Sequence, residues 1–377
     1  LSFILLLVVI LYSFLIIRRL TSWNNLQEII LPTAFQPEVK LSVIIPVRNE
    51  SANIIALLQD LELQSYPTEL FEVLVVDDHS EDETAALVQA FAAQASVTIR
   101  LLQLKDYDKL YLKKAAVQKG VELATGELLV FTDGDCRVQP NWLSLFAHTY
   151  QTKQAVFISG PVSFQDTTSL FEKMQLVEFA SLIGIGGASI ALGKPNMCNG
   201  ANLAYTKAAF QEINGFAGNE GVASGDDEFI LHKLSERYLD KITFLKSAEA
   251  IVYTNARKTL SIFISQRVRW ASKWRSYTKL NVQLVALTVF MVNLLLFLAI
   301  PAVIGGWLTH WLFILAYVAK FGVDFLFLSR ILAFLGKPKY NLYILPLQLV
   351  YIPYVLVTAL AGLFGRYTWK GRTLKTL

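Results

Sequence analysis

Charge is scarce in this chain. Asp, Glu, Lys and Arg make up 17% of its 377 residues, where an ordinary soluble domain carries about 25%. The shortfall is uneven: residues 1–17 hold no charged side chain and residues 280–366 hold few, whereas residues 38–279 have the mixture of a soluble domain. Cysteine is scarcer still. Cys136 and Cys198 stand far apart without metal-ligand spacing, which excludes a disulfide framework and a zinc site. Two free thiols fit a reducing cytoplasm. A basic stripe interleaved with aromatics is also missing from the soluble part, which argues against a nucleic-acid partner. No internal repeat or low-complexity tract is present. The net charge of +4 is mild, and the basic residues gather where apolar runs meet the soluble part: Arg18 and Arg19, then Arg257, Lys258, Arg267, Arg269, Lys273, Arg275 and Lys279. That is the pattern of cytoplasmic anchors beside membrane segments.

The apolar ends read as membrane helices. Residues 1–19 are expected to form an N-terminal anchor. Leu1–Ile17 spans about 25 Å as a helix at roughly 1.5 Å per residue, slightly short of a bilayer core of about 30 Å. A few upstream residues would complete it. A cleaved signal peptide would need a small-residue cleavage site, and Arg18–Arg19 follow instead. Residues 280–366 are expected to hold two to three spans, read as Gln283–Ile304, Trp307–Leu328 and Leu342–Phe364, with a basic tail over 367–377. Lys320, Asp324 and Arg330 weaken the second of these, and Pro346 and Pro353 suit the third to a kinked or re-entrant path. A transporter would place paired polar residues inside several spans; only Lys320, Asp324 and Arg330 qualify.

Residues 38–279 alternate strand and helix patterns. Leu41–Pro46 is a short β-branched run closed by proline, and Phe71–Asp77 a second strand ending in acid. Val97–Leu104, Glu127–Thr132 and Val156–Val162 read as further strands. Helical patterns fall at Asn53–Leu63, Asp82–Ala95 and Lys113–Ala124. Such alternation predicts βαβ units and a parallel sheet, an α/β fold, with ligands at the carboxyl ends of the strands. Thr168–Ile183 is amphipathic and suits either an interfacial helix or a core helix. Gly184-Ile-Gly-Gly187 lacks the full dinucleotide fingerprint and reads as a flexible loop.

Three acid clusters fall where strand ends are expected: Asp77-Asp78-His79-Ser80, Asp133-Gly134-Asp135 and Asp226-Asp227-Glu228. A strand ending in Asp-Gly-Asp puts two carboxylates near one point, and the glycine is expected to let a ligand come close. A hard divalent cation, Mg²⁺ or Mn²⁺, wants those oxygens together with substrate phosphates. Asp-x-Asp alone would also suit a capped turn. The preceding strand and the two further clusters favour the site.

With these residues in place, the chain resembles membrane-integrated family 2 glycosyltransferases with the GT-A (Rossmann-like) fold, the group that includes polysaccharide synthases and ceramide-glucosyltransferase-like enzymes. The resemblance covers about residues 40–275 and rests on motifs that stand in the family order. Ser42-Val-Ile-Ile-Pro-Val-Arg-Asn-Glu50 resembles the opening segment that touches the nucleotide, which implies Pro46, Arg48 and Glu50. Val75-Val-Asp-Asp-His-Ser80 resembles the base-binding motif, which implies Asp77 and Asp78. Lys113 sits where the family has a lysine before a helix, although Leu112 stands where the family usually has glycine. Asp133 and Asp135 match the metal-binding pair. Asn199, Gly200 and Asn202 resemble the acceptor-side segment. Gly225-Asp-Asp-Glu-Phe229 resembles the motif holding the catalytic base; Asp226 replaces the usual glutamate, which leaves Asp227 as base. Gln266, Arg269 and Trp270 match the Gln-x-x-Arg-Trp motif, and the same residues would also suit a basic juxtamembrane helix with an interface tryptophan.

The resemblance implies inverting transfer of a sugar from a nucleotide-sugar, UDP being the family's preference, with a divalent cation as cofactor. The expected acceptor is a lipid or lipid-linked glycan at the cytoplasmic face of the cell inner membrane; a processive polysaccharide synthase is the alternative. A base takes the acceptor proton and the leaving diphosphate is stabilised. Asp226 is expected to raise the pKa of Asp227 by like-charge repulsion. An inactive nucleotide-binding membrane protein would show a broken base or metal motif, and Asp133, Asp135 and Asp227 are all present.

Overall fold

The computed structural model describes residues 2–107, 112–218, 225–273, 279–364, 366–369 and 372–375. In chain order its elements are α1 (Ser2–Asn25), β1 (Leu41–Val47), α2 (Ile54–Glu62), β2 (Phe71–Asp77), α3 (Thr84–Ala92), β3 (Thr98–Gln103), α4 (Leu112–Leu123), β4 (Leu128–Phe131), α5 (Trp142–Lys153), β5 (Phe157–Ser159) and β6 (Val162–Phe164). They continue with α6 (Leu170–Ala191), β7 (Leu203–Thr206), α7 (Lys207–Glu212), α8 (Asp226–Arg237), β8 (Ile242–Phe244), β9 (Val252–Thr254), α9 (Leu260–Ala271), α10 (Leu280–Ile304), α11 (His310–Phe334), α12 (Ile344–Phe364), β10 (Arg366–Trp369) and β11 (Arg372–Lys375). The chain divides into two compact units. One is the α/β unit, residues 26–166 and 189–255; the other is helical, residues 1–25, 167–188 and 256–377. Residues 167–188 and 256–279, which the sequence reading placed within the soluble region, group by their contacts with the apolar helices.

The α/β unit is built on a seven-stranded sheet of order β3-β2-β1-β4-β7-β5-β8. Strands β3, β2, β1 and β4 are parallel, as the alternating pattern predicts. Strand β7 departs from it, running antiparallel to both β4 and β5. The long segment between β4 and β7 is what permits the reversal, since the crossover rule binds only successive parallel strands. Val156–Val162 is not one strand: Gly160-Pro161 breaks it, so β5 stays in the main sheet while β6 pairs with β9 in a small second sheet. Strands β1, β2 and β4 are almost wholly buried, which explains their continuous apolar runs. Pro46 is tolerated in central β1 because the β4 ladder ends earlier, at Ile44–Phe131.

Five helices among the described residues are long and apolar enough to cross a membrane: α1, α6, α10, α11, and a segment formed by Pro338–Tyr343 with α12. Helices α1, α10, α11 and α12 keep apolar faces exposed, with Phe3, Ile10, Leu287, Leu315 and Leu349 among them. Such faces suit lipid contact. Helix α1 runs past Arg18 and Arg19; Arg19 is buried, its guanidinium donating to the Leu15 carbonyl at 3.2 Å. Helix α12 continues through Pro353 as one helix. Lys320 and Asp324 are buried inside the helical unit. The Lys320 ammonium donates to Asp324 at 2.7 Å and to Gln348 at 2.8 Å, and Tyr12 donates to Asp324 at 2.6 Å. Arg330 is exposed.

Helix α6 corrects one sequence reading. Gly184–Gly187 is not a loop but part of this 22-residue helix. A Cβ on Gly184 would lie 2.6 Å from Ile331 and 2.9 Å from Phe327 of α11. The glycine therefore serves close helix packing, as small residues do between apolar helices. Most of α6 is buried, which favours the core reading over the interfacial one. Gly184→Val is expected to destabilise the helical unit by roughly 1–3 kcal/mol through overpacking, read as a lowered melting temperature in detergent.

Candidate active site

The carboxyl ends of β1, β2 and β4 collect most of the residues singled out in the sequence. Arg48 and Glu50 follow β1, Asp77 and Asp78 end β2, and Asp133 and Asp135 follow β4. Lys113 opens α4, and Asp226 and Asp227 form the first turn of α8. The Lys113 ammonium lies 2.7 Å from Asp133 Oδ1 and 3.4 Å from Asp226 Oδ2. The Gly200 N–H donates to Asp227 Oδ2 at 2.9 Å. Four chain segments, remote in sequence, thus meet around one ammonium group. Burial pulls the Lys113 pKa down, but the Asp133, Asp226 and Asp227 carboxylates more than offset this and hold it above the ordinary lysine value. The expected repulsion between Asp226 and Asp227 left this cation out.

The helix start at Gly225, which is left-handed at φ 82°, aims Asp226 and Asp227 at the positive end of α8. The glycine of Asp133-Gly134-Asp135 serves the packing of the strand ends. A Cβ on Gly134 would come within 2.8 Å of Val47 and 3.1 Å of Glu50. Its absence lets the β1 and β4 ends pack together, and so brings Asp133 beside the β1 loop. Cys136 is buried, and burial followed by the Asp135 and Asp133 charges pushes its thiol pKa well up. It stays a neutral thiol.

On the β1–β2 side the polar groups are tied to each other. Arg48 is buried and donates to the Asp78 carbonyl at 2.9 Å, to the His79 carbonyl, and to Glu81 at 2.8 Å. Asp77 accepts from the Ser80 N–H at 3.3 Å, and Asp78 from the Leu112 N–H at 3.1 Å. Glu50 accepts from Asn53 at 2.9 Å. These contacts fix the loops that follow β1 and β2. Leu112 itself is left-handed, at φ 76°. The backbone thus keeps here the conformation that suits the glycine usual in the family, and leucine bears it under strain.

Gly200 lies at the acid cluster, and the Asn199 side chain beside it accepts from the Ala201 N–H at 2.9 Å, but Asn202 is not at the cluster. Its side chain is fully buried. Its Nδ2 donates to the Pro161 carbonyl at 2.6 Å and the Ala250 carbonyl at 2.8 Å, while Oδ1 accepts from the Trp142 indole at 2.9 Å. The amide is fully committed to bracing the loops after β5 and before β9, which corrects its acceptor-side assignment.

Gln266, Arg269 and Trp270 lie on α9, in the helical unit. The two residues that the motif leaves unspecified are both buried, Val268 and the charged Arg267. Its guanidinium forms a two-pronged pair with Glu178 of α6, at 3.0 Å on one side, and donates to Gln266 Oε1 at 2.7 Å. Tyr354 of α12 donates to the same Glu178 at 2.9 Å. Arg267 also sits over the Trp270 ring at 4.3 Å. The sequence reading counted Arg267 only as a basic flank. The available signal was Glu178, an acid within an apolar helix, which calls for a buried partner.

Asp133 and Asp135 could hold a divalent cation. Their donor atoms are hard carboxylate oxygens, and Asp133 already accommodates a cation in the Lys113 ammonium. Among the described residues no three His, Cys, Asp or Glu side chains cluster to enclose a metal. Such an ion would need oxygens from a ligand as well. Leu112→Gly is expected to relieve strain and hold or raise stability by up to about 1 kcal/mol, checked by thermal melting.

Comparison with known proteins gives a consistent result. The model for "Glycosyl transferase family 2" matches residues 42–213, and that for "Glycosyl transferase family group 2" matches residues 128–361, more than half of the chain. A glycosyltransferase of Haloferax volcanii, AglE, is 29% identical over 49% of this chain and 58% of its own length. An undecaprenyl-phosphate 4-deoxy-4-formamido-L-arabinose transferase of Yersinia pestis is 27% identical over 37% of this chain and 41% of its own. The chain thus spans less than two thirds of either relative. A mannosyltransferase of Pyrobaculum calidifontis, solved with GDP-Man and Mn²⁺, superposes with a TM-score of 0.60 at 18% identity over 95% of this chain and 97% of that one. That likeness is one of fold. Together with the family match, it places the chain among the membrane-integrated family 2 glycosyltransferases, with a GT-A α/β unit and apolar helices at both ends.

Proposed function

We propose that the chain transfers a sugar from a nucleotide-sugar to a lipid or lipid-linked acceptor, with inversion at the anomeric carbon and with the α/β unit on the cytoplasmic side. The observation that carries this reading is the meeting of Lys113, Asp133, Asp226 and Asp227 at the strand ends. Asp133 and Asp135 are the residues that would hold Mg²⁺ or Mn²⁺. When bound, that ion neutralises charge on the departing diphosphate. Pro46, Arg48, Glu50, Asp77 and Asp78 are assigned to the nucleotide side, as are Gln266, Arg269 and Trp270 on motif alone. Asn199 and Gly200 are assigned to the acceptor side. The cytoplasmic orientation rests on the basic flanks.

In the transfer, an acceptor oxygen forms the new bond to the anomeric carbon while the bond to the diphosphate oxygen breaks. Asp227 is held by the Gly200 N–H and lies at a helix N-terminus, so its carboxylate has a fixed direction. It would take the proton of a hydroxyl acceptor as the new bond forms. A phosphate acceptor brings an oxygen that is already anionic and needs no base. The Yersinia relative, an undecaprenyl-phosphate transferase by name, supports an acceptor of the second kind. The resemblance to polysaccharide synthases keeps repeated transfer to a growing glycan as the second reading.

The test is nucleotide release and sugar transfer by the purified membrane protein across a panel of UDP- and GDP-sugars. Turnover is expected for one donor, with loss on adding EDTA and recovery with Mn²⁺ or Mg²⁺. Undiminished turnover in EDTA would remove the metal from the reading. Asp227→Asn is expected to slow transfer to a hydroxyl acceptor by about 10²–10⁴-fold while donor binding persists. A full rate in that variant with a hydroxyl acceptor would show that Asp227 is not the base. A full rate with polyprenyl phosphate alone would identify the phosphate oxygen as nucleophile.

A further inference from the structure

We infer that Lys113 is the resident counter-ion of the acid site, holding Asp133 and Asp226 together when no donor is present and competing with a divalent cation for Asp133. This rests on the reading of Asp133 and Asp135 as cation ligands. The ammonium is 2.7 Å from Asp133 Oδ1 and 3.4 Å from Asp226 Oδ2. Those carboxylates belong to different segments, one after β4 and one at the start of α8. Asp226 has the α8 N-terminus to favour its charge, whereas Asp133 follows a strand and lacks that help. A Cβ on Gly200 would stand 3.2 Å from Nζ, so the acceptor-side segment also closes on the same group.

For an ion to take Asp133 Oδ1, the Lys113 ammonium, 2.7 Å away, has to move aside. Its long flexible stem allows that movement, and 22% of the side chain is exposed, which leaves a way out. A dication arriving alone must displace the ammonium and then sit beside it, an unfavourable meeting of like charges. A dication arriving with a diphosphate brings anionic oxygens on which the ammonium can resettle. Lys113 therefore couples the two: metal binds weakly before the donor and strongly with it. By linkage the donor binds more strongly with metal to the same degree. Lys113 is a positioning residue in this role, acting on the ligands of the ion.

The experiment measures Mn²⁺ binding to the full chain in detergent, from the signal of free Mn²⁺ by electron paramagnetic resonance, with and without UDP or GDP. Lys113→Met is expected to bind Mn²⁺ alone at least about 10-fold more tightly than the unmodified protein, with less further gain from the nucleotide. Lys113→Arg, which keeps the charge, is expected to retain the original pattern. Binding of Mn²⁺ alone that is unchanged or weaker in Lys113→Met overturns the inference. The melting temperature of the purified variant, with and without Mn²⁺, gives a second readout. A larger rise on adding Mn²⁺ than in the unmodified protein supports the role, and no rise overturns it. Asp135→Asn separates the two readings. Mn²⁺ binding lost in both backgrounds keeps the ion at these carboxylates; binding retained overturns the metal assignment itself, whatever Lys113→Met does.

Discussion

Carboxylates brought close together repel, by about 4 kcal/mol for two unit charges 4 Å apart near a protein surface. This fold gathers Asp133, Asp226 and Asp227 around one point because the strand ends, the segment before β7 and the start of α8 all converge there. Lys113 sets a positive charge among them, 2.7 Å from Asp133 and 3.4 Å from Asp226. Much of the local structure serves that placement. Gly134 lets the β1 and β4 ends approach. The Asp78 carboxylate takes the Leu112 N–H, fixing the chain just before the lysine. Arg48 ties the β1 loop to the β2 loop, so that the acids of both strands keep their register.

Strands β1, β2 and β4 and their acids were legible because buried parallel strands write themselves as unbroken apolar runs, and because the acids stand at or just after their ends in sequence. The antiparallel β7 was not, since strand direction depends on a connection and leaves no mark on the strand. Asn202 shows the opposite failure. The resemblance of Asn199–Asn202 to an acceptor-side segment implied a ligand contact, while the role of Asn202 as a brace depends on Trp142, Pro161 and Ala250, which are distant in sequence. Gly184–Gly187 misled for a similar reason: glycine in sequence suggests a turn, and only the neighbouring α11 shows that it makes room.

In the helical unit, the motif residues on α9 rest on a buried base. Glu178 receives both Arg267 and Tyr354, so α6, α9 and α12 share one carboxylate. A buried ion pair of this kind is weak evidence for stability but strong evidence for a fixed arrangement, since removing either partner leaves an uncompensated charge. Gln266 and Trp270 both touch Arg267. Their orientation is therefore set from beneath, by a residue that the motif does not specify.

Lys320 and Asp324 lie four residues apart on one helix. Their charges cancel within α11 before any other helix arrives. A segment entering a bilayer with such a pair carries a dipole in place of two separate ions, and the penalty of each charge in hydrocarbon is correspondingly reduced. Tyr12 of α1 and Gln348 of α12 then add hydrogen bonds to a group already neutral overall. Had the two charges been divided between α1 and α12, both helices would have had to enter together. Placed as they are, the helices can be inserted one at a time, in the order in which the ribosome makes them.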